Sequence, residues 1–219
     1  MNLYIYCAGG LGKETYDVAE KANLNKFKYD DIFFIDDAPS SSALRSNYSK
    51  KVIPFKKISH LITKEDRVVI ANGEPSIRKK LYEKLKFNGI KTTKIFADNA
   101  FISPTSKISS GAIIAPFCSI QSEAKINLNV AINTMSIVAH DVVIGNHTVI
   151  SSMVNLGGNV KIGSSSYVGM GAQIKQGVKI GSNTIIGMGS VVYNDIPNNV
   201  IALGNPARVS RKNINNKVF

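Results

Sequence analysis

The chain has 219 residues, of which 44% are hydrophobic and 19% are charged, and its net charge is +12. This composition excludes wholesale disorder and provides enough apolar residues for one large or two small domains. The sequence has neither an apolar run near the roughly 20 residues that cross a bilayer nor the segments of a signal peptide. Its two cysteines, Cys7 and Cys118, do not indicate a disulfide framework. We therefore expect a soluble cytoplasmic protein without a membrane span.

The positive charge is unevenly distributed and suggests three segments. Residues 1–97 contain 18 Lys and Arg against 11 Asp and Glu, residues 98–196 contain 5 against 4, and residues 197–219 contain 4 against none. Basic surface suits polyphosphate ligands as well as nucleic acid, and a merely solvated basic face is the alternative. Because the sequence has no nucleic-acid-binding motif, we expect no nucleic-acid partner. We predict an N-terminal domain, a repeat domain and a basic tail over these ranges.

The first predicted unit is a strand, a glycine-rich turn and a helix. The strand is Leu3–Tyr6, and the turn that follows reads CAGGLG over residues 7–12. Glycines at the start of a helix let backbone N–H groups approach an anion. Because Cys7 occupies the first position of the usual G-x-G-x-x-G motif, the turn is a weak dinucleotide fingerprint. The predicted substrate-binding residues of the turn are Gly9, Gly10 and Leu11.

Two further predicted strands end in residues suited to a ligand. The strand at 31–35 is followed by Asp36 and Asp37, and the strand at 67–71 is followed by Asn72-Gly73. Carboxylates at the carboxyl end of a strand can accept hydrogen bonds from a ribose or a base. We predict that Asp36, Asp37 and Gly73 bind substrate. The alternative is that these glycines and aspartates only form turns.

An amphipathic helix is predicted over Pro75–Phe87, with Ile77, Leu81 and Leu85 on its apolar face. Three βα units in fewer than 100 residues form half of a Rossmann fold. This is enough for a mononucleotide and too little for NAD with a substrate domain. We expect the ligand at the edge where the strand ends converge.

A six-residue repeat defines the second domain. From Ile102 to Val192 every sixth residue is Ile, Leu or Val, and the residue two positions earlier is always small or β-branched. This period predicts a parallel β-helix in which each hexad forms one face and three hexads close a triangular coil. Residues 18 apart should therefore stack on neighbouring coils, about 4.8 Å apart. Glycines follow several inward aliphatic residues, for example Gly145 and Gly163, where we expect the chain to turn a corner.

One of the three histidines stands out by its place in the repeat. His140 lies two residues after the inward Val138, so its side chain should point outward, and Asp141 follows it directly. A neighbouring carboxylate can fix the tautomer of an imidazole and raise its basicity. The 18-residue register places Gly158, which has no side chain, beside His140, so we expect open space next to the imidazole. We predict His140 as a general base, with a surface histidine as the alternative.

The repeat, with V-[KV]-I-G at 142–145, 160–163 and 178–181 and G-N-P-A-R at 204–208, resembles the hexapeptide acyltransferases. A short Rossmann-like domain ahead of such a repeat resembles the bacterial sugar acetyltransferases. Those enzymes N-acetylate UDP-linked 4-amino-4,6-dideoxy sugars, and relatives O-acetylate sialic acid. The matching stretches are 4–14, 33–37, 71–80, 133–145 and 157–163.

The resemblance implies a left-handed helix, a homotrimer and acetyl-CoA bound in the groove between two neighbouring prisms. It implies that His140 and Asp141 are catalytic, that no metal is used, and that Gly158, Met170 and Met188 contact acetyl-CoA. Relatives often carry a second histidine at the position of Val149, whereas this chain has His147. The resemblance leaves His147 as a peripheral coenzyme A contact or a bystander. A γ-carbonic anhydrase would need three histidine ligands, and the histidine spacing here does not reproduce that set.

We therefore predict an acetyl-CoA-dependent N-acetyltransferase for bacterial surface glycan synthesis. Its acceptor would be a UDP- or dTDP-linked 4-amino-4,6-dideoxy sugar, held by the N-terminal domain at Gly9–Leu11 and Asp36–Asp37 and extended toward His140. Two alternatives remain at this stage. One is a sugar O-acetyltransferase of the sialic acid type, and the other is a non-enzymatic trimeric binding protein on the same prism.

Overall fold

The computed structural model describes residues 1–26, 28–38, 48, 52–214 and 217–218. Its N-terminal domain has four strands, β1 (Leu3–Tyr6), β2 (Ile32–Ile35), β3 (Val52–Ile53) and β4 (Arg67–Ile70). The helices are α1 (Gly10–Lys26), α2 (Phe55–Ile58) and α3 (Pro75–Phe87). The strands form a parallel sheet in the order β3-β2-β1-β4. Strands β2 and β3 are added on one side of β1, and β4 is added on the other side. The strand order therefore reverses between β1 and β4, which is where open α/β sheets bind ligands.

The predicted elements of this domain are found, and two elements were missed. Strand β1 and helix α3 have the predicted bounds, whereas β3 and α2 have no counterpart in the prediction. The predicted inner face of α3 is partly wrong: Leu85 is buried, but Ile77 is exposed and Arg78 is buried in its place. Pro75 opens the helix at its first position, where a missing N–H costs nothing.

The remaining strands build a triangular prism with three faces, here called faces 1, 2 and 3. Within each face the strands are parallel, except for β23. Face 1 contains β5 (Ile95–Phe96), β8 (Ile113–Ile114), β11 (Ala131–Ile132), β14 (Val149–Ile150), β17 (Tyr167–Val168), β20 (Ile185–Ile186), β22 (Val200–Gly204) and β23 (Ala207–Lys212). Face 2 contains β6 (Phe101–Ile102), β9 (Ser119–Ile120), β12 (Ile137–Val138), β15 (Asn155–Leu156), β18 (Gln173–Ile174) and β21 (Val191–Val192). Face 3 contains β7 (Lys107–Ile108), β10 (Lys125–Ile126), β13 (Val143–Ile144), β16 (Lys161–Ile162) and β19 (Lys179–Ile180).

The register of the prism is the one that the hexads predict. Val138 pairs with Leu156, and Leu156 pairs with Ile174, so residues 18 apart stack on successive coils. The inward aliphatic residues of all three faces form one continuous core. The prism begins at β5, a few residues before the predicted boundary at residue 98. The segment predicted as a basic tail, residues 197–219, contains β22 and β23, an antiparallel pair that extends face 1.

The glycines that directly follow an inward aliphatic residue serve close packing between coils rather than the turn itself. At most corners the left-handed position lies three residues before the inward aliphatic residue, and Asp141 (φ 61°) and Gly171 (φ 70°) occupy it at two of them. Gly145 lies elsewhere in its corner and has no left-handed φ. A Cβ atom at Gly145 would stand 2.5 Å from the backbone nitrogen of Ser164 on the next coil. Glycine is needed there because two backbones approach each other.

The N-terminal domain packs on face 1. The outward side chains of Ile113, Ala131 and Val149 are buried in one apolar cluster with Leu3 and Ile5 of β1. In a triangular cross-section, the corner opposite face 1 is the one between faces 2 and 3. That corner is therefore remote from the N-terminal domain of the same chain. Among the described residues, no helix combines the length and hydrophobicity needed to cross a membrane.

Candidate active site

His140 and Asp141 form a hydrogen-bonded pair at the corner between faces 2 and 3. Nδ1 of His140 lies 2.9 Å from Oδ2 of Asp141, and both side chains are about half exposed, at 50% and 52%. The turn is fixed by neighbouring coils, since the Asp141 N–H donates to the carbonyl of Ser122 and the His140 carbonyl accepts from Asn159. A carboxylate at Nδ1 holds the proton on that nitrogen and leaves a lone pair on Nε2. The geometry therefore suits a base.

The Nε2 side of this imidazole faces Gly158. A Cβ atom at Gly158 would overlap the ring, with Nε2 as the nearest atom and Cε1 at 2.5 Å. The absence of a side chain at Gly158 therefore leaves room for the His140 ring on the neighbouring coil. The stacking predicted for these two residues is present in the structure, but the ring itself fills the space that was expected to remain open.

The other two residues predicted to contact acetyl-CoA lie at a different corner. Met170 and Met188 follow strands of face 1 and lie at the corner between faces 1 and 2, where they are 48% and 82% exposed. Gly169 stacks on Gly187, as a Cβ atom at Gly169 would stand 2.8 Å from the Gly187 carbonyl carbon. The exposed methionines form an apolar ridge. Face 2 separates this ridge from His140.

A cleft opens at the carboxyl ends of β1, β2 and β4. It is lined by Cys7, Gly9, Gly10, Leu11, Asp36, Ala38, Ala71, Asn72 and Gly73. The structure thus brings together five of the six predicted substrate-binding residues. Helix α1 begins at Gly10 with no acidic residue in its first turn, so its N-terminal N–H groups can meet an anion.

Cys7 takes the first glycine position of the motif and has the backbone of a glycine there. Its φ is 84°, and Asn72 Nδ2 donates to its sulfur over 3.4 Å. Burial raises the pKa of the Cys7 thiol to about 11, so the thiol stays protonated near neutral pH. The last glycine of the motif, Gly12, is required for close packing, because a Cβ atom there would stand 3.0 Å from the Cys7 carbonyl carbon.

The two aspartates after β2 are directed differently. Asp36 lines the cleft and accepts hydrogen bonds from the N–H groups of Ala8 and Ala38, at 2.8 and 2.9 Å. Asp37 lies outside the cleft lining. It accepts from Tyr6, Lys84 and the Phe55 N–H instead. Although burial opposes it, these bonds hold the pKa of Asp37 below its usual value.

The Asp37 contacts join β1, α2 and α3. They give this carboxylate a structural role outside the cleft in which a substrate contact was predicted. Lys84 also lies over the Phe55 ring, with its Nζ 4.1 Å from the ring centroid. This tie was not visible in the sequence.

Of the two possibilities that the sequence left open for His147, a bystander to the reaction fits its buried position better than a peripheral coenzyme A contact. The residue is 6% exposed, its Nδ1 lies 3.1 Å from Asn129 Nδ2, and its ring contacts Tyr82 of α3. It therefore lies in the junction between the prism and the N-terminal domain, where a coenzyme A molecule has no access. Burial, with a smaller effect from nearby cations, lowers the pKa of His147 to about 4.

The described part of the chain contains no set of side chains that could bind a metal ion. No group of three or more His, Cys, Asp and Glu side chains is arranged to hold an ion there. Cys118 is buried in the prism core, and burial raises its pKa.

Two family profiles match the chain, one in each domain. The profile of the PglD N-terminal domain matches residues 2–85, and that of the bacterial transferase hexapeptide, six repeats, matches residues 159–194. The prism is thus the left-handed parallel β-helix of hexapeptide transferases. In both domains the chain is similar to the hexapeptide-repeat sugar acetyltransferases.

Similar proteins agree with this assignment. GDP-perosamine N-acetyltransferase of Escherichia coli O157:H7 is 33% identical over 143 residues, which span 64% of this chain and 63% of that protein. The acetyltransferase domain of PglB from Neisseria gonorrhoeae FA1090, solved with acetyl coenzyme A, is 29% identical with a TM-score of 0.86, covering 95% of this chain and 98% of that one. PerB from Caulobacter crescentus, solved with CoA and GDP-perosamine, is 25% identical with a TM-score of 0.86, covering 96% and 97%.

Proposed function

We propose that this protein is an acetyl-CoA-dependent N-acetyltransferase acting on a nucleotide-linked 4-amino-4,6-dideoxy sugar. The single observation that carries the proposal is the His140–Asp141 pair, whose exposed imidazole lies against the backbone of Gly158. The relatives named for perosamine favour a GDP-linked acceptor over the UDP- or dTDP-linked sugar expected from the sequence. Surface glycan synthesis in the cytoplasm is the setting we propose for this reaction.

In the proposed reaction, the acceptor amine attacks the thioester carbonyl carbon of acetyl-CoA. Nε2 of His140 takes the proton that the amine loses as the C–N bond forms. Asp141 stabilises the resulting imidazolium through Nδ1. The C–S bond then breaks, coenzyme A leaves as the thiol, and the imidazolium supplies its proton. No nucleophilic side chain takes part.

The cleft at Gly9, Gly10 and Gly73 is the proposed site for the nucleotide. The N–H groups at the start of α1 would hold the diphosphate, and Asp36 would accept hydrogen bonds from a ribose or base. This assignment uses five of the predicted residues and leaves Asp37 out. It rests on the convergence of three strand ends at the point where the sheet order reverses.

In this arrangement the cleft that holds the acceptor and the His140 that acts as its base belong to different subunits. The nucleotide cleft belongs to the domain on face 1, and His140 lies at the opposite corner of the prism. We propose a homotrimer in which the N-terminal domain of one subunit presents the sugar to His140 of its neighbour. Acetyl-CoA would then lie in the groove between two prisms, touching Gly158 from one corner and the ridge of Met170 and Met188 from another.

The test is a thiol-release assay on the whole protein with acetyl-CoA. The acceptors are GDP-, UDP- and dTDP-linked 4-amino-4,6-dideoxy sugars and sialic acid. We expect turnover with a GDP-linked amino sugar and a loss of about 10²- to 10⁴-fold in kcat for His140→Asn. His60→Asn, at an exposed histidine of the N-terminal domain, is the matched control and should keep full activity. Equal rates for wild type and His140→Asn would rule out the proposed base, and turnover of sialic acid alone would assign O-acetylation instead.

A further inference from the structure

A completely buried arginine joins the two domains. Arg78 of α3 is 0% exposed, and each of its five N–H groups has an acceptor. Nη1 donates to the carbonyls of Ile70 and Asn72, at 2.6 and 3.2 Å. Nε and Nη2 donate to the carbonyl of Asn129, at 3.0 and 2.8 Å, and Nη2 also reaches Oδ1 of Asn129 at 2.8 Å. One guanidinium thus connects the end of β4 to a corner of the prism.

The partner on the prism is an amide where a buried arginine usually meets a carboxylate. Asn129 is 0% exposed and has a φ of 55°, a left-handed conformation that asparagine tolerates. Its Nδ2 donates to the carbonyl of Arg78 and lies 3.1 Å from Nδ1 of His147. All three residues are therefore held in one network. Burying a guanidinium without a carboxylate is costly unless its donors are satisfied, and here they are.

The other end of the network is the floor of the nucleotide cleft. Asn72 and Gly73 line that cleft. The side chain of Asn72 donates to the Cys7 sulfur and accepts from the Glu74 N–H, so Asn72 also orders the glycine-rich turn and the start of α3. Arg78 holds the carbonyl of the same residue. Hydrogen bonds from the one side chain of Arg78 therefore connect the cleft to the prism.

We propose that Arg78 is a positioning residue for the acetyl acceptor, which fixes the nucleotide cleft relative to the prism. The inference rests on the proposed function. An acceptor held by one subunit must arrive at His140 of another within about 0.5 Å to be productive, so the angle between domain and prism matters for transfer. The fork of the guanidinium helps to set that angle, because Nη1 points to the end of β4 while Nε and Nη2 point to Asn129. A lysine has the charge but not the fork.

The experiment compares three variants of the whole protein. Arg78→Lys keeps the charge, and Asn129→Gly keeps the left-handed turn and the backbone carbonyl while removing Oδ1, the side-chain acceptor of Arg78. Lys80→Met is the control, because Lys80 is exposed on the same helix. For each we would measure melting temperature, amide hydrogen exchange over 71–74, binding of GDP and UDP, and KM for acceptor and for acetyl-CoA separately.

We expect both junction variants to raise the acceptor KM by about tenfold, with exchange over 71–74 faster and the acetyl-CoA KM unchanged. The control should match wild type in every measurement. The inference is overturned when a variant melts at a lower temperature but keeps wild-type exchange at 71–74 and wild-type acceptor KM, since Arg78 would then be structural only. If wild type itself binds no nucleotide and turns over no acceptor, the proposed function fails, and hydrogen exchange at 71–74 alone decides the role of Arg78. Should Arg78→Lys not fold, Asn129→Gly carries the same test.

Discussion

The backbone of Gly158 lies against the imidazole of His140 on the neighbouring coil, so that a Cβ atom at Gly158 would stand 2.5 Å from Cε1 of the ring. The contact joins a corner position without a side chain to the group proposed as the base. A methyl group there would displace a side chain and not a backbone. We therefore expect a methyl group at Gly158 to leave the fold intact and to impair the reaction.

Gly158→Ala is expected to lower kcat by roughly a hundredfold, because rotating the His140 ring misplaces Nε2. The melting temperature should change little. Gly145→Ala is the contrast, since its Cβ atom would meet the backbone of Ser164 and should lower stability. Steady-state kinetics and thermal melting measure the two effects. Full activity in Gly158→Ala would mean that the packing of the His140 ring against Gly158 has no part in the reaction.

Asp141 can be tested by two substitutions that differ in backbone tolerance. Its φ of 61° suits asparagine and strains alanine. Asp141→Asn should therefore keep the melting temperature and lower kcat by roughly tenfold to a hundredfold, because the carboxylate no longer stabilises the imidazolium. Asp141→Ala should lose both stability and activity. A kcat unchanged in Asp141→Asn would remove Asp141 from the catalytic pair.

Substitution by asparagine should affect different properties at the two aspartates after β2. Asp36→Asn is expected to raise the acceptor KM, because Asp36 faces the cleft. Asp37→Asn should mainly lower the melting temperature, because Asp37 holds Tyr6, Phe55 and Lys84 together. Kinetics and melting on both variants separate the roles. An acceptor KM that rises only in Asp37→Asn would reverse the assignment.

Protonation of His147 should make stability depend on pH. Its pKa is lowered from 6.5 to about 4 by burial, so between these values the unfolded chain binds a proton that the folded chain does not. Stability should therefore fall as the pH drops from 6.5 to 4, by on the order of 3 kcal/mol for this group. His147→Asn, which retains a side chain suited to a φ of 61° and does not titrate, should reduce that slope. Denaturant unfolding at several pH values measures it, and an unaltered slope in the variant would exclude His147 as its source.

Mixed trimers offer a direct test of the shared active site. His140→Asn and Asp36→Asn each impair a different half of the site, and the halves lie on different subunits in the proposed assembly. Co-expression of the two variants should give more activity than either alone, measured at acceptor concentrations below KM. Arg67→Lys, outside both sites, replaces Asp36→Asn in the control mixture. If mixed trimers form but gain nothing over the separate variants, the two halves act within one chain.

The prism could be predicted almost completely because its period is encoded at each hexad. One aliphatic residue points inward per six, and the pairing of Val138 with Leu156 follows from that count alone. The His140–Gly158 contact could be predicted for the same reason. The reason for the corner glycines could not be predicted, because sequence does not distinguish a glycine that needs a left-handed φ from one such as Gly145 that needs room for a neighbouring backbone.

The junction between the domains could not be predicted. A helix pattern places charged residues in solvent, so Ile77 rather than Arg78 was assigned to the inner face of α3. The acceptors that make burial of Arg78 possible are backbone carbonyls and a side chain 51 residues away, at Asn129. No local period contains that information. His147 was left open for the same reason, since its environment is set by α3 of another domain.

The uninterrupted register of the prism has a consequence for protein engineering. Because a coil is 18 residues long, a complete extra coil can in principle be inserted without turning any side chain to a different face. Inserted after Ile162, it would leave His140 and Gly158 in place and carry Met188 about 4.8 Å further along the axis. The distance between the proposed base and the apolar ridge could thus be set in steps of one coil. A chain lengthened in this way would show whether the distance between His140 and the ridge selects the acyl donor by its length.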